Sequence, residues 1–265
     1  MISSFRNPLI KQIKRLRQKK YRQREGLFFV EGIRAVLTAV NHHATIATLI
    51  YAPDLLTSDI AYETLKEQEA QGIRCEAVTA DLFQNISERD NPTGLGALVH
   101  TPERPLSELP LPRTTDGLYI ALTNVADPGN LGTILRTADA VNATAVILVG
   151  HTTDAGHPSV AKASMGTLCT VPIATATGDE LLSWAAENQL HITITTVEAD
   201  TLHWQATYNL PLLLIMGSEK HGVPAEIAQH AHQAVKIPML GQASSLNLAV
   251  ATGIFLYEIR KQHHP

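Results

Sequence analysis

The second half of the chain alternates short apolar runs with helical stretches, and this alternation restricts the fold more than any other feature. Leu118–Val125, Ala145–Gly150, Ile192–Val197 and Pro211–Gly217 read as short buried strands. Leu131–Val141, Glu180–Gln189 and Leu246–Lys261 carry helical spacing. Strands covered on both faces and separated by helices predict an α/β fold with a mostly parallel sheet, because parallel neighbours need a crossover.

The first 100 residues carry a weaker alternation of the same kind. Phe5, Leu9, Ile13 and Leu16 recur at three- and four-residue intervals, which predicts an amphipathic helix over 5–19. Leu27–Val30 reads as a strand, followed by a helix from about Glu31 with Ile33, Val36, Leu37 and Val40 along one face. Further strands are expected at Ile46–Tyr51, Ile73–Val78 and Gly96–Val99, with a helix near Tyr62–Ala70. Pro102, Pro105, Pro110 and Pro112 then interrupt the pattern. Proline this dense sustains neither a helix nor a central strand. The expected organisation is a small α/β domain over 1–105, a linker over 106–115 and a larger domain over 116–265.

A net charge of −4 for 265 residues argues against a polyanionic partner only until its distribution is seen. Residues 1–34 hold ten Lys/Arg and two Glu, a net +8; the remainder, with eleven basic and twenty-three acidic residues, stands at −12. A basic segment on an acidic body points to a localised polyanion contact. Lys11, Lys14, Arg15, Arg17, Lys19, Lys20, Arg22 and Arg34 are its candidates. The competing reading is a solvated charged helix face, though little acid is interleaved to form helical ion pairs.

Two cysteines without a CxxC pair suit a reducing compartment. The start has no apolar stretch of signal-peptide length, and no run is long enough to span a bilayer, so a cytoplasmic protein without membrane contact is expected. His42-His43, His230-His232 and His263-His264 lack dependable ligand spacing and read as surface residues; no metal is expected.

Three segments carry polar residues that the fold alone does not demand. In Asn124-Val-Ala-Asp-Pro-Gly-Asn130-Leu-Gly-Thr-Ile-Leu-Arg136, a strand turns through Asp127–Gly129 into a helix. An arginine early in a helix opposes the dipole, so Arg136 calls for a reason; pairing with Asp139 is the structural alternative. In Leu213-Leu-Ile-Met-Gly217-Ser-Glu219-Lys-His-Gly222-Val-Pro224, a buried strand ends in a glycine-containing loop. Ligands gather at such carboxyl ends, although an ordinary strand–helix turn fits too. In Val235-Lys-Ile237-Pro-Met239 through Ser244-Ser245-Leu246-Asn247, serines and an asparagine open a helix containing Ala249, Ala251 and Gly253. Capping is the plain reading of those polar residues, and the small ones allow close helix packing.

In this order the segments resemble the three motifs of the SpoU/TrmH family of SPOUT RNA methyltransferases, over roughly Ala121 to Arg260. The basic start and the FVEGIRAV stretch resemble the small RNA-binding domain that many of its rRNA enzymes carry. The resemblance implies a SPOUT-type parallel sheet with a trefoil knot, a homodimer using the C-terminal helix, and transfer of methyl from S-adenosylmethionine to a ribose 2′-hydroxyl, foremost in 23S ribosomal RNA. It implies cofactor contacts at Gly217, Ile237, Met239 and Leu246, and a catalytic set of Arg136, Asn130, Glu219, Ser245 and Asn247, with Asn130 orienting Arg136. A tRNA 2′-O-methyltransferase and a catalytically silent RNA-binding module are the alternatives. A Rossmann enzyme is disfavoured because no GxGxxG follows a strand.

Overall fold

The structure, a computed structural model, describes residues 1–111 and 116–263. The end of the expected linker and His264 lie outside the described residues. The chain forms two compact units: Met1–Pro102 with Asp154–Thr170, and Glu103–Thr153 with Val171–Pro265.

The first unit contains α1 (Pro8–Arg15), α2 (Lys19–Glu25), β1 (Leu27–Glu31), α3 (Ile33–Asn41), β2 (Ile46–Tyr51), α4 (Asp59–Ala70), β3 (Cys75–Ala77), α5 (Ala80–Ile86) and β4 (Leu95–His100). Its sheet has the order β1-β4-β2-β3; β4 runs antiparallel to both neighbours and β2 parallel to β3. The helix expected over 5–19 is shorter, Pro8–Arg15, and a second helix begins only at Lys19. Asn7 accepts from the Leu9 amide to cap α1, and Pro8 occupies its first turn. Leu9, Ile13 and Leu16 are buried as the spacing requires, and Ile10 joins them, whereas Phe5 is exposed. The break after Arg15 has a direct cause: Arg22 Nη1 donates to the carbonyls of Leu16 (2.7 Å) and Arg17 (2.8 Å), taking acceptors that a continuing helix would use. The α1 residues pack with Leu82, Phe83 and Ile86 of α5 and with Ile50 and Leu98 of the sheet.

The second unit contains β5 (Glu103–Pro105), a 3₁₀ turn at Leu106–Glu108, β6 (Leu118–Thr123), α6 (Pro128–Ala140) and β7 (Ala145–Val149). The chain then enters the first unit with α7 (Pro158–Ser164) and a 3₁₀ turn at Thr167–Cys169. It returns with β8 (Ile173–Ala176), α8 (Gly178–Glu187), β9 (His191–Thr195), β10 (Thr201–Leu202), β11 (Leu212–Met216), α9 (Ala225–Ala228), β12 (Gln233–Lys236) and α10 (Leu248–His263). The sheet order is β10-β12-β9-β11-β6-β7-β8-β5, and every pair is parallel. β6, β7 and β11 are buried at every residue, which accounts for their continuous apolar runs. Tyr119 packs edge-on against Trp184 at 5.1 Å and donates to the Pro110 carbonyl; burial pushes its hydroxyl up to about 12.

Part of the proline-rich stretch is a strand. Glu103–Pro105 pairs with β8 at the sheet margin, where proline's missing N–H can face away from the ladder. α10 packs on α6, and a Cβ built at Gly253 would meet Thr137 Cγ2 at 3.8 Å, an ordinary contact. Gly253 therefore does not enforce an unusually close approach. Among the described residues, no helix is long and apolar enough to cross a membrane.

Candidate active site

Parallel strands deliver their following loops to one edge of a sheet. In the second unit that edge receives the segments after β6, β7, β9, β11 and β12. After β6, Asp127 Oδ1 accepts from the amides of Gly129 (2.6 Å) and Asn130 (3.1 Å), starting α6 with Pro128 in its first turn. This holds Asn130, only 8% exposed, at the helix mouth. Asn124, at φ +53°, directs its Oδ1 to the His151 amide at 2.9 Å and so joins the loops after β6 and β7. The strand expected over Leu118–Val125 ends at Thr123, and Asn124 takes the left-handed conformation that asparagine tolerates better than most residues.

After β11 the chain folds back on itself. Ser218 and Gly222 exchange both backbone hydrogen bonds (3.2 and 2.9 Å), and Thr123 Oγ1 donates to the Met216 carbonyl at 3.2 Å. A Cβ at Gly217 would collide with the Gly222 carbonyl carbon and the Val223 amide. The glycine is thus required by the loop's own closure, before any ligand approaches it.

The third segment ends at Asn247, whose Oδ1 accepts from the amides of Ala249 (3.0 Å) and Val250 (3.3 Å) at the start of α10. That cap fixes the direction of everything beyond it. Asn247 Nδ2 must face the other way and donates to Asn130 Oδ1 at 2.8 Å. Asn130 therefore presents its Nδ2, which donates to Glu219 Oε1 at 2.7 Å. Capping and site-building are the same event here: three segments far apart in the chain are joined by two side-chain bonds of defined polarity. Asn130 is enclosed, while Glu219 and Asn247 are exposed, so the chain of bonds opens to solvent at both ends. Glu219 Oε2 accepts no further bond among the described residues, leaving an acceptor at the opening.

Arg136 is exposed on α6, about 9 Å along the axis from Asn130 at the usual helical rise. It is the ninth of thirteen helical residues, because α6 begins three residues before the helix read from sequence. Arg136 therefore stands clear of the N-terminal turn and does not oppose the helix dipole there. Asn130 spends its amide on Glu219 and Asn247, which makes it the junction of the three segments. Ser245 is exposed two residues before the capping Asn247.

Ile237, Met239 and Leu246 are half-buried along the segment between β12 and α10. None of the backbone amides from Ile237 to Leu246 has an acceptor among the described residues. Half-buried apolar side chains beside unengaged backbone donors and acceptors suit a flat heteroaromatic ring with polar edges. The donor set fits an adenosine group.

The basic candidates belong to the first unit and are of three kinds. Lys11, Arg15, Lys19, Lys20 and Arg34 are exposed and Lys14 is half-buried. Arg15, Lys20 and Arg24 gather around the Tyr21 ring at 5.7, 4.8 and 4.9 Å from its centre, and Arg6, Lys11, Lys14 and Arg15 line an open depression with Pro8. Arg17 is partly committed, pairing with Glu88 at 2.9 Å and donating to the Ile86 and Ser87 carbonyls. Arg22 has to be removed from the polyanion face. It is 2% exposed, pairs through Nε and Nη2 with both Asp154 oxygens (2.7 and 2.8 Å), and spends Nη1 on the end of α1. A count of charges cannot see that one of them points inward.

Residues 117–257 match the SpoU rRNA methylase family, and residues 7–97 match an MRM3-like substrate-binding domain. The chain belongs to the SpoU rRNA methylase family. It is 28% identical, over 98% of both chains, to the 23S rRNA (guanosine(2553)-2′-O)-methyltransferase RlmP of Bacillus subtilis. It is 31% identical to a 23S rRNA (uridine(2479)-2′-O)-methyltransferase of Streptomyces viridochromogenes, over 93% of this chain and 87% of that one. An AdoMet-bound rRNA methyltransferase from Sinorhizobium meliloti superposes with a TM-score of 0.91 at 34% identity, covering 100% of this chain and 98% of that one.

Proposed function

We propose that this protein methylates a ribose 2′-hydroxyl of 23S ribosomal RNA with S-adenosylmethionine as methyl donor. The observation that carries this reading is the Asn247–Asn130–Glu219 chain of hydrogen bonds, which unites three sequence-distant segments at the carboxyl edge of a parallel sheet. The rRNA relatives match over more than nine-tenths of this chain, its N-terminal unit included, which favours ribosomal over transfer RNA.

S-adenosylmethionine, when bound, would supply an electrophilic methyl on a sulfonium that needs no further activation. The protein's task is to hold the ribose oxygen in line and manage the hydroxyl proton. Gly217, Ile237, Met239 and Leu246 would hold the adenosine and its neighbouring groups. Arg136 stabilises the oxygen as its proton passes to solvent water, or grips the adjacent phosphate; a guanidinium stays protonated too firmly to serve readily as a base. Glu219, braced by Asn130, accepts a hydrogen bond from the ribose or anchors the loop against it. Ser245 and Asn247 flank the same opening and position the substrate.

The reading extends to the rest of the molecule. Lys11, Lys14, Arg15, Lys19, Lys20 and Arg34 attract RNA phosphates, with Arg17 contributing less because Glu88 offsets it. A trefoil knot is supported by the strand order: β12 lies between β9 and β10, which it follows in the chain. A homodimer through α10 is supported by exposed Val250 and Tyr257, apolar surface that a partner subunit would cover. The protein acts in the cytoplasm, where ribosomal RNA is available. The test is to map 2′-O-methyl groups in 23S RNA from cells with and without the protein. One site should vanish with it; an unchanged 23S map together with a missing tRNA methyl would transfer the reading to tRNA.

A further inference from the structure

We infer that Arg22 and Asp154 are positioning residues for RNA methylation, an inference that rests on the proposed RNA-binding role of α2. Arg22 lies on the buried side of α2, while Lys19, Lys20 and Arg24 occupy its exposed side. Its partner Asp154 opens the 154–170 segment, which leaves the methylase sheet after β7, packs into the first unit and returns at β8. The segment is firmly seated there. Val160, Ala161, Ser164 and Leu168 are buried, and a Cβ at Gly156 would stand 3.0 Å from Phe28 Cβ.

One residue earlier the chain belongs to the active-site edge. The Thr153 amide donates to the Val125 carbonyl at 2.9 Å, and the His151 amide to Asn124 Oδ1 at 2.9 Å. Val125 is two residues from Asp127, the cap that sets Asn130. The ion pair therefore holds one end of a short stretch whose other end braces the loop carrying Asn130. Phosphate contacts on the outer side of α2 and the geometry of the catalytic loop are joined through Arg22, Asp154 and the adjoining residues 151–153. Burying a charged pair gains little stability over a well-packed apolar pair, so its bidentate, directional hold is the property that positions the loop.

The test uses full-length protein carrying Asp154→Asn or Arg22→Lys. S-adenosylmethionine sites are counted by calorimetry, RNA affinity is measured by filter binding, and single-turnover methylation is followed at saturating 23S RNA. Hydrogen exchange is recorded over 150–170. The expected result is an unchanged site count, RNA affinity within about twofold, a rate per cofactor site lower by about 10²-fold, the scale of a distant misplacement, and faster exchange at Thr153. A rate per site equal to wild type overturns the inference, as does a loss confined to RNA affinity. If the single variants fail to fold, Arg22→Met with Asp154→Leu refills the buried space without the directional bonds. That variant should remain slow, and a folded double variant at wild-type rate overturns the inference equally. Exchange over 150–153 is readable without activity, so a wild type that methylates no RNA would refute the proposed function while the exchange data still decide whether the clasp exists.

Discussion

The basic face of the first unit and the active-site edge of the second differ in how they use polar residues. On the first unit the cations are mostly spread over exposed helix faces, each replaceable by its neighbour, with Tyr21 at the centre of three of them. On the second unit a few polar side chains converge, each with a partner and a direction: Asn247 caps, Asn130 relays and Glu219 receives. Redundant charge suits attraction to a polyanion, which needs potential more than geometry. Directed bonds suit chemistry, which needs geometry more than potential. Arg22 stands on the basic unit yet belongs to the second kind.

The largest expected effect falls where geometry is tightest. Gly217→Ala, the smallest possible enlargement, should abolish S-adenosylmethionine binding, because the added Cβ strikes the loop's own backbone at Gly222 and Val223. Calorimetry checks this, with circular dichroism confirming that the sheet remains. Cofactor bound at wild-type affinity would mean that the 217–223 loop yields easily and is less directed than the contrast requires.

Next comes Arg136. Arg136→Ala should lower single-turnover methylation by roughly 10²-fold or more while cofactor affinity stays nearly constant, and Arg136→Lys should recover only part of the loss. If Arg136 merely paired with Asp139 on the helix surface, its removal would cost under about 1 kcal/mol of stability and leave turnover intact.

Replacing Lys19 and Lys20 together with alanine should have a smaller and smoother result. RNA affinity falls and the log–log salt slope shrinks by about 0.7 for each phosphate no longer neutralised, with the rate at saturating RNA preserved. A collapse of that saturated rate would show that the basic face is directional after all, and would erase the comparison.

The mildest effect is in pH. His157 Nδ1 accepts from the Ser159 amide to cap α7, and burial, aided by the nearby Arg22 charge, holds its pKa below the ordinary histidine value. The folded state thus resists a proton that the unfolded chain accepts near pH 6.5. The contribution is present above that pH and is lost as pH falls through the folded value. Thermal unfolding should show the first unit weakening below about pH 6.5, and His157→Asn, which keeps a capping acceptor without the titration, should flatten that dependence.

Much of the fold was legible in residue patterns. β6, β7, β9 and β11 stand within two residues of their expected limits, since strands buried on both faces leave an apolar signature. β12, with sequence QAVK, and the edge strand Glu103–Pro105 left none: each is three or four residues long and stabilised by its neighbours' ladders. The residue types of the candidate site were also visible, as were the glycine in the β11 loop and the asparagine at the head of α10.

Partnership was not visible. Whether Asn247 caps a helix or joins a network has no local signature, because its Oδ1 answers to residues two and three positions on while its Nδ2 answers to one 117 positions back. Arg22 reads as one more cation in a basic run until tertiary packing buries it against Asp154, 132 residues away. Sequence by itself determined periodicity, turn chemistry and which functional groups were available, since these depend on neighbours within a few residues. Only the tertiary structure decided which of those groups face one another, because hydrogen bonds and ion pairs act over about 3 Å in space and take no account of distance along the chain.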